Sequence, residues 1–400
     1  MRLLILVLVT SVIPPLCFAE SAPDAAPATS KKSLYDKSHS INAVEFGLRA
    51  DSSVDQTSTL AKVIQHASNT QNIDTVYVPK GTYYIAKAIS LRPGVNLIGE
   101  GPGKTVFVRK NAKNYLVQGK NADFGGAVVA NLTLNNSERT LLMQGVRNLH
   151  FQNVEFLGGI VRFEKSANIT LEGNLFNENL GKGGYASSDC QNIRIVKNVF
   201  NSIERGSINL SGHKNCYVAF NHITSTKLID SGYAGIRLPN SATNNVVENN
   251  FIENHGRGLF ILSSSVENVL RNNTVKNTKY QGVLVQASNN LIEKNTIIDA
   301  GSEAVYVIDA TAESSPTPSI AEGNRILNNV IYDTKAHEAS RSIGLKIASR
   351  KNVVKGNRVS MTHGRKFKST RAGAQNQDID NVYGQDAGES TTKEPPRNDQ

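Results

Sequence analysis

An asparagine-anchored phrase that recurs every twenty-odd residues constrains the fold of this 400-residue chain more than any other feature. The phrase reads N-x-x-x-(x)-N-x-hydrophobic, and an apolar pair, a polar turn and an alternating apolar run follow it. Most successive copies are 21 to 24 residues apart, and the longer spacings look like the same unit with an insertion. The anchor asparagines are Asn153, Asn174, Asn198, Asn221, Asn250, Asn273, Asn295, Asn329 and Asn357. The chain is therefore expected to repeat one supersecondary unit along an axis.

The alternating runs predict strands. Segments such as GIRLPNS, GLFILSS and GVLVQAS have period two and are bounded by turn residues, which is typical of short strands and not of helices. A repeat of this length with several short strands fits an all-β solenoid, the parallel β-helix. Coils would stack about 4.8 Å apart, so equivalent asparagines would lie above one another and form a hydrogen-bonded ladder. We therefore assign the anchor asparagines a structural role.

The first residues predict export. Arg2 precedes an apolar run, and Cys17-Phe18-Ala19 fits a cleavage site, so residues 1–19 read as a signal peptide. No later segment is apolar for long enough to span a bilayer. We expect a periplasmic or secreted protein that does not insert into the membrane.

Composition divides the rest of the chain. The segments on either side of the repeats are polar and aperiodic, which is typical of flexible chain. The expected parts are a flexible lead at 20–39, an N-terminal cap with the first coils at 40–110, β-helix coils at 111–361 and a disordered tail at 362–400.

The charge of the chain suggests its partner. The formal net charge is +10, and nearly all of it falls on the repeats, because the tail and the lead carry balanced charges. A basic exported protein is expected to bind an anionic polymer, and acidic polysaccharide suits this compartment better than nucleic acid. We expect a monomer.

Two cysteines remain after removal of the signal. Cys190 and Cys216 occupy places in the repeat that differ by about three residues, so they are expected to be buried thiols and not a disulfide. No C-x2-C or H-E-x2-H pattern suggests a metal site.

An amphipathic segment follows the lead. Leu60, Val63, Ile64 and Ala67 lie at helical spacing after an N-cap candidate, Asp55. A solenoid must shield its open ends, so we expect this helix to cap the first coil.

Three motifs near this helix carry a family resemblance. They are a V-x-F-G-x-x-x-D phrase at 44–51, D-x-T at 55–57 and V-x-V-P-x-G-x-Y at 76–83. With them, the chain resembles pectate-lyase-like single-stranded β-helix proteins over about 41–359. The resemblance implies a right-handed parallel β-helix and a carbohydrate-active protein. It does not choose an activity, because this superfamily includes lyases, hydrolases, epimerases and non-catalytic binders.

Comparing the coils brings charged and aromatic residues together. When the run starting at Gly235 is aligned with Gly258, Gly282 and Ala304, and more loosely with Ser207, one band emerges. Its candidate catalytic residues are His255, Tyr280, Tyr233, Arg257 and Lys279, and its candidate substrate-binding residues are Arg205, Arg237, Glu303 and Tyr306. The inserted residues 224–231 and 309–319 are expected to wall a groove beside this band.

Such a band could act on a uronate polymer. Elimination or C5 epimerisation requires that the sugar carboxylate be neutralised, which acidifies the proton on C5. Arg257 or Arg237 would do this, alone or with a calcium ion, whose involvement the sequence leaves open.

Proton transfer would fall to neighbouring side chains. His255 would take the C5 proton, and Tyr233 or Tyr280 would carry the second proton. Lys279 is expected to lower the pKa of Tyr280.

Two other functions remain open. One is a non-catalytic polysaccharide-binding or export-associated β-helix. The other is a glycoside hydrolase, which needs two carboxylates, and the chain lacks the N-T-D, D-D and G-H-G phrases of polygalacturonase-like hydrolases. The D-P-H phrase of alginate epimerases and the clustered aspartates of calcium-dependent pectate lyases are also missing. The carboxylate candidates are Asp230, Asp299, Glu303 and Asp309.

Overall fold

Short strands make up most of the chain in the computed structural model, which describes residues 36–109, 111–177, 183–313, 317–334, 342–362, 365–369 and 375–384. The predicted signal at 1–19 lies outside the described residues. One α-helix, α1 (Thr57–Asn69), and two 3-10 helices (Lys37–His39 and Ala43–Phe46) lie near the start. No helix within the described ranges is both long and apolar enough to cross a membrane.

The strands follow one another at nearly regular intervals. The first twelve are β1 (Ser40–Asn42), β2 (Thr75–Tyr77), β3 (Gly81–Tyr84), β4 (Ile89–Ser90), β5 (Asn96–Ile98), β6 (Thr105–Val108), β7 (Val117–Lys120), β8 (Asp123–Gln144), β9 (Arg147–Glu164), β10 (Ala167–Glu172), β11 (Leu175–Asn177) and β12 (Tyr185–Ser188). The next twelve are β13 (Arg194–Val196), β14 (Val199–Asn201), β15 (Ile208–Ser211), β16 (Tyr217–Ala219), β17 (His222–Thr224), β18 (Ala234–Leu238), β19 (Val246–Glu248), β20 (Phe251–Glu253), β21 (Arg257–Ile261), β22 (Val269–Arg271), β23 (Thr274–Thr278) and β24 (Val283–Val285). The last eleven are β25 (Leu291–Glu293), β26 (Thr296–Ala300), β27 (Glu303–Val307), β28 (Arg325–Leu327), β29 (Val330–Tyr332), β30 (Ile343–Ile347), β31 (Val353–Lys355), β32 (Arg358–Ser360), β33 (Arg365–Ser369), β34 (Gln377–Ile379) and β35 (Val382–Tyr383).

These strands stack as three parallel sheets. Each strand pairs with its equivalent in the next coil, and β8 and β9 run through all three sheets. Sheet A contains β1, β2, β5, β10, β13, β16, β19, β22, β25, β28, β31 and β34. Sheet B contains β3, β6, β11, β14, β17, β20, β23, β26, β29, β32 and β35. Sheet C contains β4, β7, β12, β15, β18, β21, β24, β27, β30 and β33. The predicted parallel β-helix is confirmed.

The core fills the inside of the coils. In sheet C, Ile236, Leu259, Val283, Val305 and Leu345 are in register from strand to strand, and each is fully buried. Alternation then sends the next residue of each strand to the outer surface. The outer face of sheet C is therefore set by the same repeat that builds the core.

Asparagine ladders link the coils, as predicted. In the longer ladder, each side-chain amide nitrogen donates to the Oδ1 atom of the next asparagine at 2.8–3.0 Å. One ladder contains Asn174, Asn198, Asn221, Asn250, Asn273, Asn295, Asn329, Asn357 and Asn381. A second contains Asn245, Asn268, Asn290, Asn324, Asn352 and Asn376.

Asn153 does not belong to the ladder to which the sequence assigned it. The ladder position in its coil is Val154, whose N–H donates to Asn174 Oδ1. Asn153 has a left-handed backbone (φ 51°), and its amide donates to Asn131 Oδ1. Asparagine tolerates this conformation, so the phrase marked a turn one residue away from the ladder.

The helix α1 caps the first coil with the predicted residues. Leu60, Val63, Ile64 and Ala67 are its buried residues. The N-cap residue is Gln56 and not Asp55, but Asp55 lies one residue earlier and accepts a hydrogen bond from the Thr57 N–H. This contact satisfies one of the unpaired amides at the helix start.

The cysteines are free and buried, as expected. Burial raises the pKa of Cys190 and of Cys216 to about 12. Both thiols therefore stay protonated and unreactive.

The tail boundary predicted at 362 falls before three further strands. β33, β34 and β35 each extend one sheet, and the Phe367 ring packs 5.5 Å from the Tyr383 ring. Asn376 and Asn381 continue the two ladders. The segment is polar, and this polarity concealed its membership in the repeat. The rest of the predicted tail, from 385 onward, lies outside the described residues.

Candidate functional site

The outer face of sheet C carries a continuous row of side chains across the coils. The register of the strands matches the alignment on Gly235, which is therefore confirmed. The row contains Asn209, Arg237, Phe260, Leu284, Tyr306 and Lys346. Neighbouring members lie one strand spacing apart, about 4.8 Å, so a ligand lying along the solenoid would meet them in sequence.

An apolar floor lies at the middle of this row. Ala234, Phe260, Leu262 and Leu284 form a buried cluster separate from the solenoid core, and Tyr306 packs against it. Its four residues are 0–7% exposed, and the guanidinium groups of Arg237 and Arg257 lie 5.6 and 5.4 Å from the centre of the Phe260 ring, so other side chains cover this floor.

Arg237 lies at the edge of this floor between two rings. Its guanidinium is 5.5 Å from the centre of the Tyr233 ring and 5.6 Å from that of Phe260. Burial lowers its pKa, and its Nε atom is buried without a hydrogen-bond partner. No ion pair to Arg237 is found within the described ranges. Its charge is therefore desolvated but not neutralised by a carboxylate.

A chain of polar contacts runs beside the floor. Arg257 Nε donates to Gln281 Oε1 at 2.7 Å, and Gln281 donates to Glu303 Oε2 at 2.8 Å. Glu303 then binds Lys346 Nζ at 2.7 Å. Burial would raise the pKa of Glu303, but the hydrogen bonds from Lys346 and Gln281 hold it below its usual value. Glu303 is therefore ionised, and it connects Gln281 to Lys346 in this chain of contacts.

Tyr280, Lys279 and Asp230 meet at one end of the floor. Tyr280 donates to Asp230 Oδ1 at 2.8 Å, and Lys279 Nζ lies 3.7 Å from Asp230 Oδ2. The hydrogen bond to Asp230 raises the pKa of Tyr280. The prediction that Lys279 lowers the pKa of Tyr280 is therefore wrong, because the carboxylate of Asp230 accepts a hydrogen bond from the phenol and so stabilises its protonated form. The guanidinium of Arg257 lies 5.3 Å from the same ring.

The insertions lie at opposite ends of the strands of sheet C. The one before β18 walls a cleft of about 640 Å³, which we call the first cleft. The one after β27 reaches back to the turn after β21, two coils earlier, where Thr317 Oγ1 lies 2.6 Å from Ser263 Oγ. The first cleft is lined by Ser202, Glu204, Arg205, Ser225, Thr226, Lys227, Leu228, Ile229, Asp230, Ser231 and Tyr233. Arg205 and Tyr233 thus both line the first cleft. The Tyr233 side chain is open to solvent (39% exposed).

His255 is separated from this surface. It is 1% exposed, and its Nε2 atom lies 3.3 Å from the hydroxyl of buried Ser207. Burial lowers its pKa to about 4. A base for a polymeric substrate must reach that substrate, so the burial of His255 does not suit the role that the sequence suggested for it.

Two other carboxylates considered for a hydrolase, Asp299 and Asp309, make hydrogen bonds that stabilise the coils. Asp299 accepts the Thr334 N–H at 2.7 Å and is 1% exposed. Asp309 accepts bonds from the Ser349 hydroxyl and the Ala321 N–H. Of the four candidates, only Asp230 combines an exposed carboxylate with a place in the first cleft.

Sequence reasoning missed Lys346. This side chain lies 4.1 Å from the centre of the Tyr306 ring and pairs with Glu303. The alignment ended at Ala304, but the run IGLKI at 343–347 repeats the pattern of GIRLP and carries Lys346 at the place of Arg237. One more coil in the alignment would have found it.

Comparison with solved structures shows the same architecture in carbohydrate-active proteins. The A-module of the mannuronan C-5 epimerase AlgE6 of Azotobacter vinelandii has a TM-score of 0.59 at 17% identity, covering 86% of this chain and 99% of that one. A Thermotoga maritima exopolygalacturonase has a TM-score of 0.59 at 12% identity, covering 86% and 91%. The Dettilon tailspike protein has a TM-score of 0.64 at 12% identity, covering 83% and 68%. No curated protein sequence matches the chain. At these identities the likeness shows the fold alone.

The later coils also match a family model described as periplasmic copper-binding protein (NosD), over residues 219–360. Copper favours Cys, Met and His ligands. Across the part of the chain that the structure describes, no three His, Cys, Asp or Glu side chains converge to hold a metal ion. His213, His255 and Cys216 are buried within the coils. The described residues do not fit a copper centre.

A second family model covers more than half of the chain. It is described as rhamnogalacturonase A/epimerase, pectate lyase-like, and it matches residues 40–284. This range includes α1, the first cleft and the apolar floor up to Leu284. The chain belongs to the rhamnogalacturonase A/epimerase, pectate lyase-like family.

Proposed function

We propose that this is an exported protein that binds a uronate-containing polysaccharide along the outer face of sheet C and acts on it as a lyase or C5-epimerase. The observation that carries the proposal is Arg237, a desolvated guanidinium that no described carboxylate neutralises. Arg presents donors in a planar fork that matches a carboxylate. A uronate bound here would lie beside Tyr233, whose exposed ring is 5.5 Å from the Arg237 guanidinium.

The same position suits activation of the sugar. Pairing the uronate carboxylate with a guanidinium stabilises the charge that develops when the C5 proton leaves. Tyr233 lies over the Arg237 guanidinium and lines the first cleft, so we assign it the exchange of that proton. His255 has no part in this scheme because it is buried.

Tyr280 is assigned the role of acid. Its hydrogen bond to Asp230 raises its pKa, so the phenol stays protonated and can donate to a leaving oxygen. Lys279 holds Asp230 from the other side. Arg205, Arg257, Glu303 and Tyr306 complete the surface around the polymer in this proposal.

Binding without catalysis is the second candidate. The burial of His255, which removes the expected base from the surface, favours it. The basic and apolar groups of the face would serve a binder equally well. An assay of products separates the two functions.

The test is incubation with alginate, polygalacturonate and glycosaminoglycans. A lyase yields an unsaturated, ultraviolet-absorbing product, an epimerase exchanges the C5 proton without cleavage, and a hydrolase yields reducing ends alone. We expect one of the first two outcomes, and a loss of about 100-fold or more in kcat for Arg237→Ala. Tyr280→Phe should lower turnover while leaving retention of the polymer intact.

Arg358→Ala is the matched control, because Arg358 is an exposed arginine on sheet B. If the protein retains one polymer but does not change it chemically, binding without catalysis is its function. Failure to retain any uronate polymer would contradict the proposal in both forms.

A further inference from the structure

A second cleft opens on the same face of sheet C, nearer the helix α1 in sequence. It encloses about 450 Å³ and is lined by Tyr115, Glu138, Arg139, Leu142, Arg162 and Glu164. Arg162 is the register partner of Leu142. Tyr185 pairs with Val161, so Ala186 follows opposite Arg162, and the row continues through Asn209 to Arg237. Arg162 therefore lies three strand spacings from Arg237, about 14 Å.

A bulge in β8 builds the wall of this cleft. The register against β9 shifts between Asn136 and Arg139, and Thr140 is buried there, with its hydroxyl bonded to Asn136 O. A Cβ on Gly159 would lie 2.4 Å from that carbonyl oxygen. Only glycine fits this close approach. Bulges redirect side chains and are common beside functional sites, and this one turns Arg139 to the exposed surface.

The second cleft is balanced in charge. Two arginines and two glutamates line it, and Arg162 lies 3.7 Å from Glu164. Gln144 also donates to Glu164, at 2.8 Å. Arg139 lies 5.7 Å from the centre of the Tyr115 ring. Arg139 makes no ion pair among the described residues, but the two glutamates of the cleft offset its two arginines. A uronate here would therefore gain no net charge attraction, whereas hydroxyl groups can both donate to the glutamates and accept from the arginines.

We infer that the second cleft is a sugar-binding site for an uncharged residue of the polymer whose acidic residue binds at Arg237. The inference rests on the proposed function. It makes the substrate class a polysaccharide of mixed charge, with a neutral unit about 14 Å from a uronate. A sugar ring in this cleft would stack near the Tyr115 ring.

Esterification of a single polymer tests this inference, because it removes charge without altering linkage. The probes are polygalacturonate and alginate, each fully acidic and partially esterified, with affinities measured for the intact protein. We expect tighter binding of the partially esterified form. Glu138→Lys makes the cleft positive, so it should shift the preference toward the fully acidic form by about threefold or more. Glu267→Lys, an exposed change in a turn between sheets C and A, should leave the preference unchanged.

The outcomes separate the two proposals. Tighter binding of the fully acidic form by the wild-type protein, or an unchanged preference in Glu138→Lys, overturns the inference and leaves the proposed function standing. No binding of either polymer in any form contradicts the proposed function itself. Thermal unfolding of Glu138→Lys shows whether the fold is intact, and Arg139→Gln provides a second variant, which should weaken binding of the partially esterified form.

Discussion

At the scale of single residues, burial distinguishes two residues that the alignment of the coils places in one band. Arg237 and His255 both come from the band before and within the strands of sheet C. Arg237 keeps its charge at the outer face, while His255 is enclosed and binds Ser207. A Cβ on Gly258 would lie 2.3 Å from core Val275, so Gly258 and Leu259 both face inward and the regular alternation is broken just after His255. Counting by alternate residues therefore does not tell whether His255 faces inward or outward.

Two buried histidines predict sensitivity to acid. Burial lowers the pKa of His213 and of His255 to about 4, whereas an unfolded histidine titrates near 6.5. The unfolded chain binds more protons between these values, so stability is present above pH 6.5 and falls as the pH drops toward 4. Each histidine should cost about 2 kcal/mol between pH 7 and pH 5.

Thermal unfolding at the two pH values measures this effect. In His255→Gln, the difference in stability between pH 7 and pH 5 should shrink by about 2 kcal/mol. His66→Gln removes an exposed histidine on α1 and should leave the difference unchanged. An equal pH dependence in wild-type protein and His255→Gln would show that His255 is not held neutral.

At the scale of elements, the asparagine ladders join neighbouring coils through buried polar groups. Asn273 accepts hydrogen bonds from the backbone and side chain of Asn250, and it donates to Asn295 and to Val247 O. The sequence could predict these ladders because identical residues recur at one place in each coil. It could not show the exposed row in which Asn168 and Asn192 bond, because these residues look like ordinary turn asparagines.

Replacing a ladder residue should destabilise the solenoid. Asn273→Ala leaves the buried backbone N–H of Asn250 without its acceptor and removes the bonds from the Asn273 amide to Val247 O and Asn295, at a cost of about 3–5 kcal/mol in the free energy of unfolding. Asn192→Gly removes an exposed amide but keeps the left-handed backbone that Asn192 adopts (φ 55°), so it should cost about 1 kcal/mol or less. Urea denaturation compares the two variants. Similar costs for both would contradict a special role for the buried ladder.

At the scale of the whole molecule, stacking turns a one-dimensional repeat into a continuous face. The alignment of Gly235 with Gly258 and Gly282 predicted which residues share a row, because each coil repeats the register of the one before it. The clefts were less predictable. The wall around Asp230 could be expected from an insertion, but the bulge at Thr140 leaves the repeat length nearly unchanged and gives no sign in the sequence.

Along this row, one cation lies on each side of a run of apolar and aromatic residues. Arg237 and Lys346 lie at either side of Phe260, Leu284 and Tyr306. A polymer lying along the solenoid would meet a cation, an apolar floor and a second cation in turn. Lys346 is already paired with Glu303. We therefore expect the uronate carboxylate to bind Arg237.

The most direct test of this account is the affinity of the protein for an acidic polysaccharide and for the same polymer after carboxyl reduction, in wild type and in Arg237→Ala. The wild-type protein should prefer the acidic form by about tenfold or more, since a charge-assisted pair contributes about 1.5–3 kcal/mol. Arg237→Ala should lose this preference, and Arg358→Ala should keep it. A preference for the acidic form that survives in Arg237→Ala would contradict the assignment of Arg237 as the carboxylate-binding residue.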